Sequence, residues 1–143
     1  MKSCTNRILI IISITLIVMV GTFSMLDTFA DDNTTMSRLL GIWWTHDSQE
    51  VPWAIQFKDD GTFRSAHSYL RLEKMPVDTG HFQVKGTLLK LISDNDCKGP
   101  CKGLKGHYKV KFTKYGELKL IEQKDQCFKR KEVCGRPWVK VLR

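Results

Sequence analysis

Apolar and polar side chains alternate singly along much of this chain, the period of a strand with one face buried. Trp53, Ile55 and Phe57 interleave with Ala54, Gln56 and Lys58, and further on Tyr108, Val110 and Phe112 interleave with His107, Lys109 and Lys111. A short helical lead-in over Met36 to Leu40 comes first, and a strand over Gly41 to His46 follows it. Asp59-Asp60-Gly61 is a hairpin turn, since Asp and Gly accept the backbone geometry it needs. Thr62 to Leu70 is the next strand, and Met75 to Asp78 breaks the pattern. Gly80 to Val84 and Thr87 to Ser93 are strands joined at Lys85-Gly86, and Ser93 to Gly103 is a loop. His107 to Phe112 and Leu118 to Glu122 form a hairpin about Tyr115-Gly116. Asp125 to Cys134 reads as one or two helical turns, and Pro137 to Leu142 as a last strand. About eight strands joined mostly by tight turns predict an all-β fold, a small antiparallel barrel with a short helical turn before its last strand.

The first thirty residues follow a different rule. Lys2 and Arg7 precede an unbroken apolar run, Ile8 to Val20, and Thr28-Phe29-Ala30 ends the segment with small residues where a signal peptidase would cut. That layout predicts a signal peptide over residues 1–30. The uncharged stretch Ile8 to Leu26 also comes close to the span of a bilayer, so a retained membrane anchor is the rival reading. Residues 31–38 are then a linker and 39–143 the folded domain. Either way the domain lies outside the cytoplasm, secreted, periplasmic or held at the cell surface.

Four of the five cysteines fall in that domain: Cys97, Cys101, Cys127 and Cys134. An even number in an exported chain reads as two disulfides, and neither C-x2-C spacing nor a neighbouring His supports a metal site. Charge divides the domain unevenly. Residues 98–143 hold fourteen Lys/Arg and four Asp/Glu, a net +10, whereas residues 31–97 hold seven and ten, a net −3. This imbalance fits a solvated face that keeps the protein soluble, or a surface for an anionic envelope component.

Two stretches carry a resemblance. Gly41-Ile42-Trp43, after a helical lead-in, is similar to the Gly-x-Trp signature of lipocalins. More broadly the chain resembles a group of uncharacterised exported bacterial proteins with a lipocalin-like barrel. The shared stretches are Gly41-Ile42-Trp43, Asp60 to Ala66, Phe82 to Thr87, Gly106 to Val110 with Cys101, and Asp125-Gln126-Cys127 with Arg130. Cys97, Cys134 and Trp44 depart from that pattern. The resemblance implies that Gly41 and Trp43 are structural, with Trp43 buried at the closed end beneath a late arginine. Arg136 is the first candidate for that arginine and Arg130 the second. It also favours a Cys101–Cys127 bridge. Hairpin register agrees: partners across a turn centred on Tyr115-Gly116 have numbers summing to about 231, which Cys97 with Cys134 meets and Cys101 with Cys127 nearly meets. The expected disulfides are therefore nested, Cys101–Cys127 inside Cys97–Cys134.

No catalytic arrangement is visible. His46, His67, His81 and His107 lie singly on different strands, the cysteines are accounted for as bridges, and no glycine-rich phosphate loop occurs. The chain is expected not to be an enzyme and to need no metal or cofactor. Inward aromatics remain: Trp53, Phe57, Phe63, Phe82, Tyr108 and Phe112, with Arg64 beside them, are the expected ligand-lining set if the barrel holds a cavity. The first functional expectation is thus a monomeric lipocalin-like binding domain for a small hydrophobic ligand. The alternative is an envelope interaction module or inhibitor that uses the basic half, with no specific nucleic-acid partner.

Overall fold

The structure, a computed structural model, describes residues 34–142. The expected signal peptide or anchor lies outside the described residues. Residues 34–39 are helical (α1). Eight strands follow: β1 Gly41–His46, β2 Pro52–Phe57, β3 Thr62–Ala66, β4 Asp78–Lys85, β5 Leu88–Ser93, β6 Lys105–Phe112, β7 Leu118–Asp125 and β8 Pro137–Lys140. A 3-10 turn, Tyr69–Arg71, lies between β3 and β4, and a one-turn helix α2, Phe128–Lys131, between β7 and β8. Each strand pairs antiparallel with its sequence neighbour, and β8 returns to β1 through Trp43↔Lys140 and Trp44↔Val139, closing the barrel.

This is the all-β antiparallel barrel that the alternation predicts. Several boundaries move by two or three residues, and β3 differs most. The strand expected over Thr62 to Leu70 stops at Ala66, because the Ser68 side chain accepts the Leu70 N–H at 3.3 Å and caps a helical turn instead.

The up-and-down path gives the barrel two unlike ends. At the hairpin end lie α1 and the tight β2–β3, β4–β5 and β6–β7 turns. Trp43, 1% exposed, fills it, and its indole Nε1 donates to Leu39 O at 2.7 Å. Gly41 enters β1 at φ 116°, and a Cβ there would lie 3.1 Å from Lys140 Cε. Only glycine takes that conformation without strain, which explains the Gly of the Gly-x-Trp stretch. The cation over the Trp43 ring is Lys140, with Nζ 5.2 Å from the centroid. The expected Arg136 is not there, for a reason of register. β8 pairs Lys140 with Trp43, while Arg136 precedes β8 at the opposite end of the barrel.

At the other end the connections are long: residues 47–51, 67–77, 94–104 and 126–136. The Cys101–Cys127 disulfide, with Cα atoms 5.1 Å apart, ties the third of these loops to the fourth. It closes a 26-residue separation and is worth roughly 2–4 kcal/mol. A bond of this kind suggests an oxidising, extracytoplasmic environment.

Candidate functional site

Two regions carry the chemistry, a chamber under the long loops and a face of the barrel wall. The chamber is what remains of the interior after the core has packed. Phe57 and Phe82 stack edge to face at 5.1 Å, and Phe112 lies 6.0 Å from Trp43 at the hairpin end, so these three are core residues. Arg64 points outward, beside Gln56, and its Nη1 donates to Leu72 O at 3.5 Å. Only Trp53, Phe63 and Tyr108 of the expected lining set reach the remaining space, joined by Ser65, Asp78, Arg130, Cys134 and Trp138. Its volume is about 40 Å³, room for roughly two or three waters.

Arg130 closes the chamber's upper wall. Its Nε and Nη2 donate to the two oxygens of Asp125, both at 2.9 Å, a bidentate fork. The Nη1 group reaches Ser93 Oγ at 2.5 Å and Asp78 Oδ2 at 3.4 Å, and Nη2 also donates to Leu104 O at 3.3 Å. One guanidinium thus joins the ends of β4, β5 and β7 to the loop before β6. Burial pushes the Asp78 carboxyl above its ordinary value, against the Ser93 hydrogen bond and the Arg130 charge. Gly106 makes room for this arrangement, since a Cβ there would sit 2.5 Å from Tyr108 Oη and 2.7 Å from Asp125 Oδ2. Neither Asp78, in the expected break after β3, nor Asp125, at the start of the expected helical turn, was expected in a site. The available signal was the Asp125-x-Cys127-x-x-Arg130 spacing, in which one helical turn brings the arginine back onto the aspartate.

Among the described residues, Tyr108 Oη, Trp138 Nε1, Trp53 Nε1, Gln56 Oε1 and Asp78 Oδ1 are buried with no close geometric partner, although Ser93 and Cys97 also hydrogen-bond the Asp78 carboxyl. The Trp53 indole lies near Asp47, whose pKa it helps to lower although burial opposes that, so its N–H has a second direction to face.

The expected Cys97–Cys134 bridge is absent; both thiols are free. The hairpin strands stay paired as far as Gly106↔Asp125, through a one-residue register shift between His107 and Tyr108, but the chain leaves the hairpin there. The loop before β6 folds toward β4, with Asp94 N donating to Thr79 O at 2.8 Å. That carries Cys97 beside Asp78. Cys134 instead follows α2, its Sγ donating to Arg130 O at 3.2 Å. Burial first, then the charges of Asp125 and Glu122, push the Cys134 thiol up to about 12.

The second region is the outer face of β5, β6 and β7. On β6 every second residue points outward: Lys105, His107, Lys109 and Lys111, all exposed. At about 3.4 Å per residue this row runs roughly 20 Å. Lys90 on β5 stands opposite His107, and on β7 Lys119 and Lys124 stand opposite Lys111 and His107. Among the described residues the ion pairs are elsewhere: His81–Asp94, Lys129–Glu132, Lys131–Glu122, and Arg130 with Asp78 and Asp125. Six lysines therefore share one face with no carboxylate partner. Leu88, 55% exposed, and the half-buried Ile92 and Ile121 lie between them.

No family model, curated protein or solved structure matches this chain.

Proposed function

We propose that the protein is an exported, lipocalin-like binding domain that engages phosphate-bearing anionic surfaces through the outer face of β5–β7. The observation that carries this is the unpaired cluster of Lys90, Lys105, Lys109, Lys111, Lys119 and Lys124 on one face of a filled barrel. Lysines facing each other across strands repel, and a sheet selected for stability alone would intersperse carboxylates. Near an anionic surface each contributes about 1 kcal/mol, and the intervening Leu88 and Ile121 can meet the interface.

Carriage of a small apolar molecule inside the barrel is less well supported. Ligand sites of that kind occupy roughly 300–1,000 Å³, against about 40 Å³ in this interior. We read the domain as a binder rather than an enzyme; burial pushes the Cys134 thiol up to about 12, which argues against that thiol as a nucleophile at neutral pH.

Co-sedimentation tests the reading. The protein is expected to bind phosphatidylglycerol vesicles, to lose most of that binding between low and high salt, and to ignore phosphatidylcholine vesicles. Soluble polyglycerol phosphate distinguishes a polymer source of the phosphate from a lipid one by competing at low charge excess. Reversing Lys109, Lys111 and Lys119 to Glu should abolish binding, whereas reversing Lys58 and Lys74 should not. Binding that survives both salt and the three-lysine reversal contradicts the proposal.

A further inference from the structure

Three of the large apolar side chains left exposed among the described residues stand together. Tyr115, Val139 and Leu142 are 78%, 46% and 89% exposed, and all three line one surface groove at the hairpin end of the barrel. Register brings them there. Tyr115 is at the tip of the β6–β7 hairpin, in a turn closed by Gly116 N donating to Thr113 O at 3.0 Å. Leu118 opposite Trp138 lays β8 beside that hairpin, so the outward Val139 and the residues after it run past the tip. Contiguous apolar side chains rimmed by polar ones mark a surface that meets something other than water.

The rim identifies the occupant. Lys114 Nζ stands 5.0 Å from the Tyr115 ring centroid, Lys140 shares the groove, and Lys111 and Lys119 face each other on the hairpin just before the tip. Glu117, the acidic residue of the groove, is turned to its own hairpin, where its carboxylate accepts from Thr113 Oγ1 at 3.1 Å. Lys111 and Lys119 also belong to the basic face, so the apolar patch and that face are continuous around one hairpin. A hydrated anionic polymer offers three apolar side chains nothing. A phospholipid bilayer offers phosphates to the lysines and, slightly deeper, an apolar boundary to Leu142 and Val139, with a tyrosine suited to the level between. The chain that follows the expected anchor, Ile8 to Leu26, joins the barrel at this same end, through α1 and its Arg38 over Phe112.

We infer that the corner of the barrel formed by the β6–β7 tip and the end of β8 inserts into a phospholipid bilayer, with Tyr115, Val139 and Leu142 entering the headgroup boundary and Lys111, Lys114 and Lys119 against the phosphates. This rests on the reading that the β5–β7 face engages anionic surfaces; it goes further by choosing lipid as the source of the phosphate and fixing which part of the barrel enters it.

The three tyrosines test this separately, because Tyr115 is at the tip, Tyr69 lies among the long loops at the opposite end and Tyr108 is buried. Protein labelled with 3-fluorotyrosine and bound to phosphatidylglycerol bicelles should lose its Tyr115 fluorine signal to broadening when lipid spin-labelled high on the acyl chain is added. Tyr115→Phe assigns that signal, and the Tyr69 and Tyr108 signals should persist. Leu142→Ser should weaken binding to phosphatidylglycerol vesicles several-fold and leave binding to soluble polyglycerol phosphate unchanged. Leu70→Ser, equally exposed to water but at the opposite end, should alter neither. A Tyr115 signal that persists on bicelles the protein still binds overturns insertion and leaves the basic-face reading in place. Binding of the polymer without the vesicles does the same, whereas binding of neither contradicts both. A concentration-dependent dimer that Leu142→Ser dissociates would show a second copy covering the patch, and would overturn the inference.

Discussion

Asp78 shows most clearly how a single side chain is set by its surroundings. It begins β4, is 3% exposed, and shares Arg130 with Asp125, which has the better geometry. Burial raises its pKa above 3.8, more than Ser93 and Arg130 lower it. The folded state therefore holds the Asp78 proton more tightly than the unfolded state does. Stability from this group is present below pH 3.8 and is lost as pH rises through the higher folded value. Asp78→Asn, which keeps the shape and an acceptor for Arg130, should make the protein more stable than the wild type at pH 7. The gain should vanish below about pH 3.8, where both forms are neutral. Denaturant unfolding at the two pH values checks this, and equal stabilisation at both would show that packing rather than ionisation is responsible.

At the scale of elements, the β6–β7 hairpin carries both regions on its two faces. Inward it places Tyr108 and Leu120 against the chamber and Asp125 on Arg130, and outward Lys105, His107, Lys109, Lys111, Lys119 and Lys124. Lys111 faces Lys119 directly. Like charges so placed are destabilising, while an opposite pair contributes roughly 0.2–1 kcal/mol. Lys119→Glu should then raise the melting temperature by a few degrees at most and weaken vesicle binding, a gain in stability opposed to function. A fall in melting temperature together with unchanged binding would remove the reason for treating these lysines as a functional set.

For the molecule as a whole, the barrel was legible in the sequence because period-two alternation and turn residues act locally. Trp53, Ile55 and Phe57 declare their inward face without reference to any other strand. The chamber was not legible, because it depends on contacts between distant positions: Asp78 meets Arg130 across 52 residues, and Ser93 meets it across 37. Cys97 misled for the same reason, since hairpin arithmetic cannot see a loop turning away at Lys105. The basic face lay in between. Its charge was countable, but the absence of partnered carboxylates on β5–β7 needed the cross-strand register. The most direct measurement of the central claim is residue-resolved lysine acetylation with and without phosphatidylglycerol vesicles. The account predicts that Lys105, Lys109, Lys111, Lys119 and Lys124 become protected while Lys58, Lys74 and Lys85 react as before. Protection at Lys58, Lys74 and Lys85 with the β6–β7 lysines still reactive would contradict it.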